Sequence, residues 1–418
     1  MPLAESEVNS TSRADELSCD HPLALREGQQ IDRTEFDQQV LALSESLPEA
    51  SHVINLCQDR YLFAVCFAAA IRRGQTVLLP PDRSSWMLNK IAMTYSGVYC
   101  LVEEASEEFA INQFVPDLSQ QSTHRDQSLD AGDIPVDRVA AIPFTSGSTG
   151  QPEPHPKTWG HFQESARLIA HAIGLKPGAA IIATVPAQHM YGLELSVLLP
   201  LFCGAVMETG RPFFPLDVRD RLASAPEPRI LVTTPVHLRA LLDSDVSLPP
   251  LASIISATAP LSSELALEVE TRFATPLIEI YGCTEVGSIA SRRPALEALW
   301  RCFEGVTFQN RDDKCLASAW YFPYSITLGD AIDVRNDGRF MLQGRTSDLV
   351  NIAGKRASLS ALNHMLTSIQ GVEDGVFFLP DGEPERTARF SALVVAPGLE
   401  TDSILELLRQ QLDPAFLP

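Results

Sequence analysis

The chain has no paired cysteines: none of its eight Cys forms a C-x-x-C pair, and Cys57, Cys66 and Cys203 sit in apolar settings. That is the pattern of reduced, packed thiols and excludes a disulfide frame or a zinc site. Positive charge is scarce, with 32 Lys and Arg against 53 Asp and Glu and a formal net charge of −21. A nucleic-acid partner is excluded, because nothing basic offsets repulsion from a phosphate backbone. Long apolar runs are missing too. The longest, 61–71 and 195–202, fall short of the roughly 18–20 residues that span a bilayer. No early basic segment precedes an apolar one, since residues 1–20 are polar and acidic, so the expected location is cytoplasmic. Internal repeats and low-complexity tracts are absent, and so is the GxxxxGK[ST] pattern of P-loop NTPases.

What is present is apolar material in a regular rhythm. At 418 residues and 45% hydrophobic, the chain can bury large cores and predicts more than one domain. After a polar stretch over 1–30 that lacks a clear period and is expected to be poorly ordered, helical patterns at 33–47, 61–73 and 87–96 alternate with short apolar runs at 53–56, 76–79 and 99–102. The alternation resumes with helices at 161–173, 193–201, 235–242 and 261–273 and strands at 179–185, 230–233, 254–257 and 276–280. It predicts an α/β fold, a large N-terminal domain of layered, mostly parallel sheets. Shorter segments around 300–320 indicate a β-rich subdomain. Strands at 339–342, 349–352, 376–379 and 391–395 with helices at 360–369 and 403–412 predict a small α+β C-terminal domain. The expected boundary gives domains 1–342 and 343–418.

The densest chemical signal is FTSGSTGQPEPHPK at 144–157, directly after the apolar run 139–144. A strand delivering Gly147 and Gly150 among Thr145, Ser146, Ser148 and Thr149 can form a concave nest of N–H groups and hydroxyls, a shape that attracts phosphate oxygens. Further along stand YGCTE at 281–285, LGD at 328–330 and GRTSDLVNIAGKR at 344–356. Taken singly, Asp330 reads as a turn residue, Arg345 as a solvated loop charge and Tyr281 as a core aromatic.

In this order, over nearly the whole chain, the four pieces resemble the adenylate-forming (AMP-binding) superfamily of acyl-CoA synthetases, aryl-acid ligases, peptide-synthetase adenylation domains and luciferases. The resemblance implies ATP-dependent activation of a carboxylic acid through an acyl-adenylate, then thioester formation on coenzyme A or a carrier-protein phosphopantetheine. It implies that Thr145, Ser146, Gly147, Ser148, Thr149 and Gly150 cradle the leaving phosphates. Thr284 matches the residue at the α-phosphate and Glu285 the ligand of Mg²⁺. Asp330 matches the carboxylate on the ribose hydroxyls, with Arg345 supporting the ribose. Ala257, within 256–260, and Tyr281 with Gly282 match the adenine surroundings. PAQHMYG at 186–192 resembles the P-x-x-H-x-x-G segment at the acid pocket, with His189 beside the carboxylate. Tyr191 and Trp159 read either as walls for an aromatic substrate or as packing.

Three departures carry information. Where the family loop usually places a phosphate-gripping lysine, Glu153 stands, so His155 or Lys157 is expected to supply the charge. The PEPHPKTWG version is similar to ligases associated with bacterial aryl-polyene and xanthomonadin-type pigment clusters, which activate a hydroxybenzoate-like acid for an acyl carrier protein. Ser347, followed by Asp348, occupies the hinge position. The family's terminal P-x-x-x-G-K context does not occur, so the C-terminal domain reads as incomplete and the chain as given is expected to adenylate poorly. Coenzyme A and a carrier protein remain open as acceptors; Arg292 and Arg293, or Lys355 and Arg356, are the candidate docking charges. A silent nucleotide-binding relative is the alternative from another class.

Overall fold

The computed structural model describes residues 21–108, 110–119, 134–145, 151–311, 314–345, 349–352, 355–380 and 390–418. Apolar runs such as Ala180–Ala183 and Ser253–Ser256 are buried along their whole length, as strands covered on both faces must be. Helices close over them with one apolar stripe. Ser263–Phe273 is capped by Ser262 Oγ, which accepts from Leu265 N, and buries Leu265, Ala266 and Val269.

The chain divides into two compact units, residues 1–298 with 302–305 and residues 299–301 with 306–418. In the second unit the helix Leu359–Thr367 lies against the strand Phe340–Arg345.

The first unit contains two sheets. In one, five parallel strands run in the order Gln113–Phe114, Tyr99–Leu101, His52–Asn55, Thr76–Leu79 and Val139–Thr145. The chain then doubles back, and Glu153–Pro154 and Lys157–Thr158 pair antiparallel with Val139–Thr145. The other sheet is built on six parallel strands, ordered Leu277–Cys283, Ser253–Ser256, Arg229–Thr233, Ala180–Ala183, Val206–Glu208 and Ala24–Arg26. Gly287–Arg292 extends it as an antiparallel hairpin partner of Leu277–Cys283.

The second unit carries a three-stranded antiparallel sheet over 307–328 and the hairpin Asp330–Val334 with Phe340–Arg345. Its core gathers Leu362, Leu366, Phe377, Phe390, Ile404 and Leu408. The small α+β arrangement is as expected, with the strand Lys355–Ser358 added.

The N-terminal expectation needs correcting. Residues 24–31 are not unstructured but form a hairpin, turned by Glu27 and Gly28 at φ 50° and 81°, whose first strand joins the larger sheet. Among the described residues no helix is long and apolar enough to cross a membrane.

Candidate active site

The strand Val139–Thr145 ends at the first motif. Ser146, Gly147, Ser148, Thr149 and Gly150 lie outside the described residues; their two flanks are described. Thr145 pairs in register with Glu153, which is exposed, and Thr145 Oγ1 lies 3.0 Å from His155 Nε2. Lys157 does not stand at the tip of the loop. It is 2% exposed and its Nζ donates to the carbonyl of Glu285. Burial draws its pKa down to about 8, although Cys283, Glu194 and Glu285 favour the charge. His155 is likewise held below its ordinary value by burial.

The second motif forms the tip of a hairpin between Leu277–Cys283 and Gly287–Arg292, with a register shift at Tyr281 and Gly282. Thr284 and Glu285 occupy the turn, half-buried. Tyr281 is buried at the strand end, and Gly282 is exposed. The neighbouring strand Ser253–Ser256 delivers Ala257, also buried, and then Thr258 at φ 78°. A β-branched residue in the left-handed region is strained by on the order of 1–3 kcal/mol and persists where its surroundings over-determine it. No sequence signal marks that strain.

The third segment starts where the strand Ala180–Ala183 ends. His189 occupies the position just before the helical turn Met190–Leu193, without a capping hydrogen bond from its side chain, and Gly192 is required there, since a Cβ would lie 1.9 Å from the carbonyl of Pro186. His189 is exposed to a cleft of about 240 Å³ that Gln58, Arg83, Gln188 and Arg211 also line. Burial by its surroundings and the Arg211 charge lower its pKa, so the imidazole is neutral at pH 7. Gln188 Nε2 donates to Cys57 O at 2.5 Å. Tyr191 and Trp159 serve packing. The Tyr191 hydroxyl donates toward the carbonyls of Thr233 and Ile255 at 3.1 and 2.9 Å, and Trp159 packs edge-on against Phe202.

Behind this segment lies a residue that sequence reasoning missed. Arg60, at the start of the helix Arg60–Arg72, is 2% exposed. Its guanidinium donates to the carbonyls of Ala183 and Val185 at 3.0 and 2.9 Å and to Ser196 Oγ. Burial lowers its pKa to about 10, partly offset by Glu208. It ties the first helix of one sheet to the strand end that presents His189.

In the second unit, strand register sets Asp330 opposite Arg345, so the two residues matched to the ribose are brought together. Ser347 and Asp348 lie outside the described residues. Arg292 is paired with Glu279 at 2.6 Å and Arg293 with Glu270 at 2.7 Å.

The return strand of the Gly- and hydroxyl-rich loop motif is thus tied to the hairpin tip that carries Thr284 and Glu285. The profile of the AMP-binding enzyme family matches residues 13–308, well over half of the chain, and the chain belongs to that family. It is 30% identical over 236 residues to 4-coumarate–CoA ligase of Rhodobacter capsulatus, covering 56% of this chain and 59% of that protein. Against 3-hydroxybenzoate–CoA/4-hydroxybenzoate–CoA ligase of Thauera aromatica it is 23% identical over 292 residues, covering 60% and 54%. The chain spans from 54% to 66% of the length of the 4-coumarate–CoA ligases it matches. ATP-bound MatB from Rhodopseudomonas palustris superimposes with a TM-score of 0.80 at 18% identity, covering 96% of this chain and 92% of that one. The o-succinylbenzoate CoA synthetase MenE of Bacillus subtilis, solved with its acyl-adenylate intermediate, gives 0.79 at 16%, covering 94% and 90%. At these identities the structural likeness establishes the fold.

Proposed function

We propose that the chain activates an aromatic carboxylic acid with ATP and passes the acyl group to a thiol, in the cytoplasm. The observation that carries this reading is the bond from Lys157 to the Glu285 carbonyl. It joins the strand returning from the phosphate-loop motif to the turn holding Thr284 and Glu285, two motifs more than a hundred residues apart. The names of the relatives, ligases of coumarate and hydroxybenzoates, support an aryl acid.

In the first half-reaction a carboxylate oxygen attacks the α-phosphorus of ATP, and the bond from that phosphorus to the pyrophosphate oxygen breaks. In the second, a thiol sulfur attacks the acyl carbon, the bond to AMP breaks and the thiol proton leaves to water. The chain's task is to hold two anions together and offset charge at phosphorus. The 145–150 loop would take the β- and γ-phosphates, Thr284 the α-phosphate, and Asp330 with Arg345 the ribose. Ala257, Tyr281 and Gly282 would border the adenine. His189, neutral at pH 7, can donate a hydrogen bond to the acid.

A single carboxylate, Glu285, stands at the turn, and the described residues hold no cluster of three or more metal-ligating side chains. That donor set suits Mg²⁺, which binds through one or two carboxylates plus substrate phosphates. Bound there, the ion would neutralise phosphate charge. The acceptor is coenzyme A or a carrier-protein phosphopantetheine, and we keep the pigment-type hydroxybenzoate reading with an acyl carrier protein as its partner. The residues from 343 onward are read as a mobile domain.

Pyrophosphate exchange into ATP, measured over benzoates, cinnamates and fatty acids, tests the reading. Exchange dependent on a hydroxybenzoate or cinnamate is expected. Silence across the panel would favour the silent nucleotide-binding relative, which Glu153 opposite Thr145 also favours.

A further inference from the structure

Four consecutive residues, from the second motif's turn into the strand that follows it, are each met by a polar group from elsewhere in the first unit. Lys157 Nζ donates to the Glu285 carbonyl. His161, buried in the helix Trp159–Ala172, hydrogen-bonds the Val286 backbone. Gly287 runs at φ 77°, with the place of a Cβ only 2.6 Å from Glu194 Oε1. The Glu194 carboxylate accepts from Ser288 N at 3.1 Å, from Ser288 Oγ at 2.5 Å and from Ser165 Oγ at 2.6 Å. Glu194 is 1% exposed and opens a single π-helical turn, Glu194–Leu198, a distortion that recurs at functional sites.

Two opposite charges buried this deeply cost more than an apolar pair of equal volume. Packing alone therefore does not account for them. Their hydrogen bonds converge instead on the backbone of 285–288, the stretch that decides how the turn is presented. We propose that Lys157 and Glu194 are positioning residues, which clamp this backbone from behind and thereby set the presentation of Thr284 and Glu285. The proposal rests on the adenylate-forming reading above for its catalytic consequence, and on the hydrogen bonds alone for its structural one.

The test pairs kinetics with hydrogen–deuterium exchange of the 283–288 peptide in the full chain. Glu194→Ala is expected to lower kcat of pyrophosphate exchange by about 100-fold, the scale of an ångström-level misplacement, with KM for the acid nearly unchanged. Amide exchange over 283–288 should rise by roughly tenfold as the local opening becomes easier. Glu194→Gln, which keeps an acceptor for Ser288, should recover most of the rate, and Lys157→Met should loosen the same peptide. Ser288→Ala removes one donor only and guards against a variant that fails to fold; about a tenfold loss is expected. Wild-type kinetics and unchanged amide exchange in Glu194→Ala and Ser288→Ala would overturn the proposal. If the wild-type chain adenylates no acid, the function reading fails while amide exchange still decides this one.

Discussion

Glu285→Gln is expected to cut acid-dependent pyrophosphate exchange by about 100- to 1000-fold, the usual cost of removing one group that stabilises developing charge at phosphorus. The substitution keeps the volume and the backbone of the turn, so Lys157 can still donate to the carbonyl at 285. What is lost is one negative oxygen donor, and the described residues hold no cluster of three or more metal-ligating side chains to replace it. The loss should be accompanied by a rise in the Mg²⁺ concentration needed for half-maximal rate. Glu285→Asp should fall between the two, because a carboxylate one methylene shorter keeps the charge and misplaces it. A rate within threefold of wild type for Glu285→Gln would remove Glu285 from the phosphate chemistry.

The second large effect is on stability. Arg60→Met should destabilise the first unit by about 3–5 kcal/mol, since a buried group stranded without its partner costs about 1–3 kcal/mol and three acceptors lose their donor together. Those acceptors are the carbonyls of Ala183 and Val185 and the hydroxyl of Ser196. The methionine stem fills part of the space, so the loss reports hydrogen bonding more than a cavity. The thermal midpoint of that unit should fall by on the order of 5–10 °C. An unchanged midpoint in calorimetry would show that water or a shifted side chain satisfies the strand end instead. Because Val185 directly precedes the segment carrying His189, the same variant should also weaken acid binding.

Much of the fold was legible because each signal was local. Apolar runs of strand length between amphipathic stretches gave the alternation, and Ser262 marked a helix start that the structure uses. The motifs at 144–157 and 281–285 were legible for a similar reason, as their glycines and hydroxyls lie next to each other in sequence. The elements that escaped notice lack such signals. Gly287–Arg292 reads GSIASR, too small and polar to announce a strand, and owes its pairing to the strand before it. The hairpin at 24–31 likewise takes its order from the partner strand Val206–Glu208.

The site's supporting residues were hidden by distance along the chain. Arg60 directly precedes the apolar run 61–71, and its partners lie more than a hundred residues away. Glu194 falls inside the helical pattern at 193–201 with nothing local to single it out, and only the fold brings Ser165 and Ser288 to it. Lys157 was read as a phosphate contact from its place after Glu153. In the folded chain it points inward, because its strand pairs with Val139–Thr145 in a register that buries it. Local patterns announce which groups a site needs, whereas the groups that hold them are set by tertiary packing.

On the proposed reading, the chain joins an acid to AMP through a mixed anhydride. The most direct measurement is a reaction with ATP, Mg²⁺, a thiol acceptor and a hydroxybenzoate or cinnamate whose carboxylate carries oxygen-18, followed by mass spectrometry of the products. One labelled oxygen appearing in AMP is the predicted result, because the carboxylate oxygen that attacks the α-phosphorus leaves with AMP. Label in inorganic phosphate with ADP as coproduct, or none in AMP despite thioester formation, would contradict it.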